Sequence, residues 1–178
     1  MKILLIRHGE TTGDLEDRYG GFYDDHLTER GRLQLTETAE KLKGIEVDII
    51  FSSSLVRAQE SAKIINTVLN TQIEVQDGLR ERNYGILGGL TKTEAKNLYP
   101  EAVELHKDYT NTDQDGESWN DFNLRVIQTF ESIVRQQQLQ TILILGHGGS
   151  IKAILRYLNL PLPPSIGDGE IIEVTYNQ

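Results

Sequence analysis

The sequence contains no cysteine, so neither a disulfide nor a thiolate metal site can hold this fold together. That absence suits the cytoplasm, the compartment expected for the chain. Proline is scarce, with four in 178 residues, and Pro161, Pro163 and Pro164 account for most of them. No Pro-rich linker, repeat or low-complexity tract divides the chain, and one domain over residues 1–178 is expected, long enough for a real core. Long hydrophobic runs are missing too. The apolar run after Lys2 is only four residues, Ile3 to Ile6, too short for a signal peptide, and no stretch could span a bilayer. Positive charge is in deficit, 18 Lys and Arg against 27 Asp and Glu, a net charge of -9. That balance argues against nucleic acid or an anionic membrane as the main partner. It leaves a small anionic substrate open, because local arginines can dominate one cleft. Hydrophobic content of 38% with 25% charge is that of an ordinary soluble globular protein.

What is present is two apolar runs that each deliver a histidine. Lys2-Ile3-Leu4-Leu5-Ile6 leads into Arg7-His8-Gly9, and Thr141-Ile142-Leu143-Ile144-Leu145 into Gly146-His147-Gly148-Gly149. Both read as buried strands followed by a turn. Further strands are expected at Val47 to Phe51, Ile73 to Val75 and Ile171 to Tyr176. Between them lie helical patterns: one from Thr28 through Leu35, Ala39 and Leu42, ended by Gly44, and one capped by Ser52-Ser53-Ser54 and carrying Leu55, Ala58, Ala62, Ile65 and Leu69. Thr91 to Tyr99 reads as a helix stopped at Pro100, with helix or loop onward to about Tyr109. Ser118 opens a long helix through Trp119, Phe122, Val126, Phe130 and Ile133, and Ser150 to Leu158 forms another. Strands alternating with helices predict an α/β fold with a mostly parallel sheet covered on both faces. Ligands of such sheets sit beyond the carboxyl ends of the strands, where both histidines fall.

Taken singly, the polar residues have bland roles. His8 and His147 read equally well as hydrogen-bonded structural histidines, Arg57 as a surface charge, and Arg80-Glu81-Arg82 as a solvated run. Gly146 to Lys152 lacks the Gly-Lys-Ser/Thr ending of a nucleotide loop and the third glycine of a dinucleotide fingerprint. Arg7 and His8, adjacent at a strand end, should point to opposite faces unless the turn at Gly9 relaxes the pleat. Arg57 lies in the first turn of a helix, where free N–H groups already favour anions and a guanidinium fork would strengthen the grip.

Together they form an ordered series: Arg7-His8-Gly9, Ser54-Leu55-Val56-Arg57-Ala58, Glu81-Arg82-Asn83-Tyr84-Gly85, Gly116-Glu117-Ser118 and Gly146-His147-Gly148. This series resembles the histidine phosphatase superfamily, also called the phosphoglycerate mutase-like family, over nearly the whole chain. The resemblance implies a three-layer α/β/α sandwich. It implies His8 as a nucleophile that becomes phosphohistidine, Arg7, Arg57 and His147 as holders of the phosphoryl oxygens, and Glu81 as the acid for the leaving oxygen. A neutral imidazole is nucleophilic, and phosphoryl transfer asks mainly for positioning and charge neutralisation. Two guanidiniums and a second imidazole, expected to be protonated, would supply that without a metal. Glu81 must start protonated to act as an acid, a state that a nearby phosphate dianion favours.

Residues 81–92 also match the mutase pattern, in which Tyr84 and Lys92 bind substrate. The match fades after Lys92: no Arg-Arg pair follows to hold a carboxylate, and residues 97–114 are short and acidic. The resemblance therefore implies a phosphomonoesterase acting on a small phosphorylated metabolite, with no cofactor. A mutase, which would need 2,3-bisphosphoglycerate, stays open. So do a phosphatase for protein phosphohistidine or phosphotyrosine, which would need residues 92–117 to leave the cleft open, and a non-catalytic phosphate-binding module. Asp14 stands where the family often has asparagine, and Gly20-Gly21 where Gln or Thr often precedes the loop glycine. Asp14, Gly20, Gly21, Tyr84, Lys92 and Gly148 are expected at the substrate, with the loop from Pro161 to Gly169 outside them. The Asp14 carboxylate predicts a neutral or cationic remainder on a monophosphorylated substrate. An edge strand could support a homodimer.

Overall fold

The computed structural model describes residues 1–136 and 138–177. Its centre is a five-stranded sheet in the order β3-β2-β4-β1-β5, built from β1 (Lys2–Arg7), β2 (Ile49–Ser53), β3 (Gln72–Gln76), β4 (Thr141–Gly146) and β5 (Ile171–Thr175). The first four run parallel, and β5 pairs antiparallel to β1 at one edge. The helices are α1 (Thr12–Leu15), α2 (Glu29–Lys41), α3 (Val56–Leu69), α4 (Lys92–Leu98), α5 (Pro100–His106), α6 (Trp119–Val134) and α7 (Gly148–Tyr157).

Side-chain alternation along the buried strands sorts the core into two layers. Ile3, Leu5, Phe51, Ile142 and Ile144 pack with Phe122, Val126 and Phe130 of α6 and Ile151 and Ile154 of α7. Leu4, Ile6, Ile50, Leu143 and Leu145 face the other way, onto Leu35 of α2 and Ala58, Ala62 and Ile65 of α3. The result is the expected α/β/α sandwich. A small third cluster, Tyr19, Leu87 and Ala95, seats α4 beside it. Among the described residues no helix is long and apolar enough to cross a membrane.

Register is what makes the site. β1 and β4 pair from Lys2–Thr141 through Arg7–Gly146, so the two strands end level. The His8 N–H then donates to the Gly146 carbonyl at 3.1 Å, extending the ladder by one rung. His8 and His147 thus leave adjacent strands side by side. The turn after His8 depends on a missing side chain: a Cβ on Gly9 would lie 2.3 Å from Leu35 Cδ2 and 2.6 Å from the Gly31 carbonyl oxygen. The start of α2 packs directly against that backbone.

Local expectations needed correction in three places. β2 runs to Ser53, so Ser52 and Ser53 are buried strand residues, and the serines do not cap α3. Leu55 occupies the cap position without a side-chain bond, and Asp24 Oδ1 accepts from the Val56 N–H at 2.6 Å in place of a cap. The expected loop from Gly9 to Asp25 contains α1, closed by a reciprocal Thr11–Asp14 capping box. As expected, Pro100 follows the end of α4, and the stretch beyond it is helix: Pro100 opens α5, where its missing N–H costs nothing. α7 begins at Gly148, two residues early, with His147 at its cap.

Candidate active site

A cleft of about 690 Å³ opens at the carboxyl end of the sheet. It brings together Arg7 at the end of β1 and His8 just after it, Arg57 in the first turn of α3, Glu81 after β3, and Gly148 and Gly149 at the start of α7. Four separate chain segments therefore converge on one spot.

His8 is 6% exposed, and its Nδ1–H donates to the Gly9 carbonyl at 2.8 Å. A carbonyl can only accept, so this bond fixes the tautomer and leaves Nε2 with its lone pair. Burial pushes the His8 pKa well below the usual histidine value, and Arg57 and Arg7 push it further. The shift favours the neutral ring, the nucleophilic form of an imidazole. His147 lies 5.1 Å away, centroid to centroid, and is completely buried behind His8 without surfacing in the cleft. Its Nε2 shares a hydrogen bond of 2.8 Å with Ser53 Oγ, and Nδ1 is buried with no partner among the described residues. Burial, then Arg57 and His8, lower the His147 pKa well below the ordinary value. The resemblance implies a protonated His147, whereas burial and the neighbouring Arg57 and Arg7 guanidiniums work against that charge. A phosphate dianion would act in the opposite direction.

Arg57 is 3% exposed and donates to the Tyr23 carbonyl at 2.6 Å, the Gly21 carbonyl at 2.9 Å and Asp25 Oδ1 at 3.0 Å. Nη1 makes the first and third of these bonds, and the remaining donors stay free for an anion. Arg7 donates to the Ile166 carbonyl at 2.7 Å and pairs with Asp168 at 3.3 Å. Both guanidiniums are held rigid before any substrate arrives, which removes an entropic cost from binding. The Asp168 carboxyl is pushed up by burial, with Arg7 acting against the shift and Asp14 and Glu10 with it.

Glu81 is held by two backbone donors, the N–H of Arg82 to Oε1 at 2.9 Å and that of Gly149 to Oε2 at 2.8 Å. The second belongs to the α7 N-terminus. Behind it, Arg125 grips Glu117 with two bonds of 2.8 and 2.7 Å and donates to the carbonyls of Gly78, Arg80 and Glu81. The Gly116-Glu117-Ser118 motif therefore acts from outside the cleft, by anchoring the arginine that shapes the Glu81 loop. Buried Arg82 ties the same loop to the carbonyls of Glu117, Tyr109 and Asn111.

Of the expected outer residues, Asp14, Gly20, Gly21, Tyr84 and Gly148 line the cleft. Asp14 Oδ2 is already occupied by the Thr11 N–H and hydroxyl, both at 2.9 Å. Tyr84 hydrogen-bonds Tyr109, and burial pushes both phenols up, so each remains a neutral hydroxyl. Lys92 is not brought to the cleft: its Nζ lies over the Tyr19 ring, 3.1 Å from the centroid. The Pro161–Gly169 loop contributes Leu162, Pro163, Pro164, Ser165 and Ile166. Tyr109, Trp119, Lys152, Arg156 and Asp25 also line it and were not anticipated. For Lys152 and Arg156 a signal existed, since they follow Gly148 at helical spacing of four and eight residues. Tyr109 has no local signal, because it arrives through a loop held by Arg82. Among the described residues no group of three His, Asp or Glu side chains is placed to hold a metal ion.

A histidine with a free Nε2, two fixed arginines and a glutamate at one strand-end cleft define a class, the phosphoryl-handling α/β enzymes that work through an imidazole. Comparison with known proteins agrees: residues 3–171 match the model of the histidine phosphatase superfamily (branch 1), and the chain belongs to that superfamily. One relative, a 2,3-bisphosphoglycerate-dependent phosphoglycerate mutase from Bartonella henselae, is 35% identical over 165 residues, 88% of this chain and 80% of its own. Among solved structures, Bacillus stearothermophilus YhfR superposes with a TM-score of 0.90 at 28% identity, covering 99% of this chain and 91% of the other. A mycobacterial glucosyl-3-phosphoglycerate phosphatase solved with VO3 gives 0.83 at 25% identity, covering 98% and 90%.

Proposed function

We propose that this enzyme hydrolyses a small phosphorylated metabolite in two steps through a phosphohistidine on His8. The observation that carries the reading is the His8 ring itself: its Nδ1–H tied to Gly9, its other nitrogen in a cleft with Arg7, Arg57 and Glu81, and its pKa pushed down by burial. The phosphoryl group docks between the guanidiniums, with His147 behind. Nε2 attacks phosphorus, the bond to the ester oxygen breaks, and Glu81 gives that oxygen its proton. The ionised Glu81 then takes a proton from water as the oxygen attacks phosphorus, the P–N bond breaks, and phosphate leaves with His8 restored. No cofactor is required, since the charge of the transferring group is met by the arginines.

Hydrolysis is favoured over transfer by the lack of an Arg-Arg pair after Lys92 and by Lys92 turning onto Tyr19. Neither the Arg-Arg pair nor Lys92 is then in place to hold a mutase substrate in the way the resemblance implies. The mutase reading has its own support in the 35% identical Bartonella relative. Product analysis separates the two. Given 3-phosphoglycerate with a trace of its bisphosphate, a phosphatase releases inorganic phosphate and a mutase yields 2-phosphoglycerate. Phosphate release from a panel of monoesters, unaffected by chelator and lost in His8→Ala, is the expected result. Isomerisation faster than release would refute it.

A further inference from the structure

One side of the cleft carries positive charge that the His8 chemistry leaves unused. Gly148, Lys152 and Arg156 lie one turn apart on α7 and line the cleft, while Ile151, Ala153, Ile154 and Leu155 bury the opposite side of the helix. The helix begins at the phosphoryl centre, where Gly149 donates to Glu81. With a rise of about 1.5 Å per residue, Lys152 and Arg156 stand roughly 6 and 12 Å farther along the axis than Gly148. Resting on the assignment of His8 as nucleophile, we propose that this face is a second anion subsite: Lys152 and Arg156 receive a carboxylate or second phosphate on the departing part of the ester.

Pairing supports the assignment. This chain has 27 acidic residues to 18 basic ones, so counter-ions are plentiful. Every other arginine makes an ion pair or a hydrogen bond to a carbonyl. Arg156 makes neither among the described residues. Its guanidinium lies over Trp119, 4.9 Å from the ring centroid, an arrangement that orients the plane and leaves the N–H edge free for a planar anion. Lys152 spends one N–H on the Pro164 carbonyl at 2.8 Å and has no carboxylate partner among the described residues, leaving two donors. The acids of the cleft are engaged elsewhere, Asp25 with Arg57, Glu81 with backbone N–H groups and Asp14 with Thr11, and Asp168 outside it pairs with Arg7. The subsite runs against the neutral or cationic remainder expected from Asp14, a carboxylate that acts near Arg7, where it helps to raise the Asp168 pKa. The α7 wall has the opposite sign.

The test compares 4-carboxyphenyl phosphate with 4-carboxamidophenyl phosphate, which has a similar shape and an electron-withdrawing group but no charge. 1,4-Phenylene bisphosphate forms a third arm, distinguishing a phosphate-selective from a carboxylate-selective subsite. Exposed ion pairs contribute only a factor of a few each, so a ratio of kcat/KM, charged over amide, of about three to ten is expected. The ratio should decline with added salt and fall to about one in the Lys152→Gln/Arg156→Gln double variant. A parent ratio at or below one for both charged esters, or a ratio unchanged in the double variant, overturns the subsite. Failure of the parent to release phosphate from any of the three counts against His8 as nucleophile and removes the basis for the subsite with it.

Discussion

Replacing Gly149 by alanine separates helix stability from catalysis at a single atom. The added Cβ would sit 2.1 Å from Glu81 Oε1 and 2.8 Å from the Tyr109 hydroxyl. Glu81 is 8% exposed and held by two backbone donors, so its carboxylate has to swing out of place and give up the 2.8 Å bond from the Gly149 N–H. The backbone at 149 is ordinary helix with no positive φ, and glycine to alanine there gains about 1 kcal/mol of helix propensity. Losing the buried bond to the carboxylate costs about 1–3 kcal/mol against that gain, so the variant should fold with a net loss of at most about 3 kcal/mol. General acid catalysis contributes about a hundredfold to ten-thousandfold, and that portion is what the displacement removes. The assay is kcat/KM for phosphate release across esters of increasing leaving-group basicity, a quantity that reports formation of the phosphoenzyme. Alkyl phosphates should lose about a hundredfold or more. 4-Nitrophenyl phosphate, whose leaving group needs no proton, should lose less than about tenfold. Equal losses for both classes, or full alkyl phosphatase activity in the variant, would refute Glu81 as the acid.

Further outcomes follow from the same geometry. Since burial and Arg57 hold both His8 and His147 below the ordinary histidine pKa of about 6.5, kcat/KM should stay level as pH falls through that value and drop only below it. In the same window the unfolded chain binds protons that the folded one refuses, so stability declines as pH falls below about 6.5, by up to about 1.4 kcal/mol per pH unit for each histidine. Urea unfolding of the parent and of His8→Asn and His147→Asn proteins at several pH values measures this, and a stability unchanged between pH 7 and 5.5 would contradict it. Arg57→Ala leaves Asp25 buried and unpaired and should cost about 3–5 kcal/mol, whereas Arg57→Ala/Asp25→Asn should regain most of the stability without the activity. Recovery of both would exclude Arg57 from the phosphoryl site. Ser53→Ala removes the partner of His147 Nε2 and should cost about 1–3 kcal/mol, read by denaturant titration.

The layered sheet was legible because its signals are local and repeated. Runs such as Ile3 to Ile6 and Ile142 to Leu145 are buried on both faces, and their ends fixed where the histidines would emerge. The five site residues stood out only as an ordered set, since each alone reads as a surface charge or a core imidazole. The serines at 52 and 53 misled because a hydroxyl suits a helix cap as well as a buried bond to a neighbour. In this fold Ser53 serves His147 across the sheet, 94 positions away. Lys92 matched a sequence pattern but turned onto Tyr19, a contact between segments that no local periodicity encodes. Tyr109 and Asp25 were hidden for the same reason, since buried arginines from distant segments place them in the cleft. The role implied for His147 carries a charge, whereas complete burial, with Arg57 beside it, works against that charge.

The central claim is a covalent one, and rapid acid-free quenching tests it most directly. During turnover of a labelled phosphate monoester, the enzyme should carry one alkali-stable, acid-labile phosphate on the peptide containing His8, and His8→Ala should carry none. Phosphate on another residue, or steady turnover with no phosphoenzyme detectable on the millisecond scale, would contradict the account.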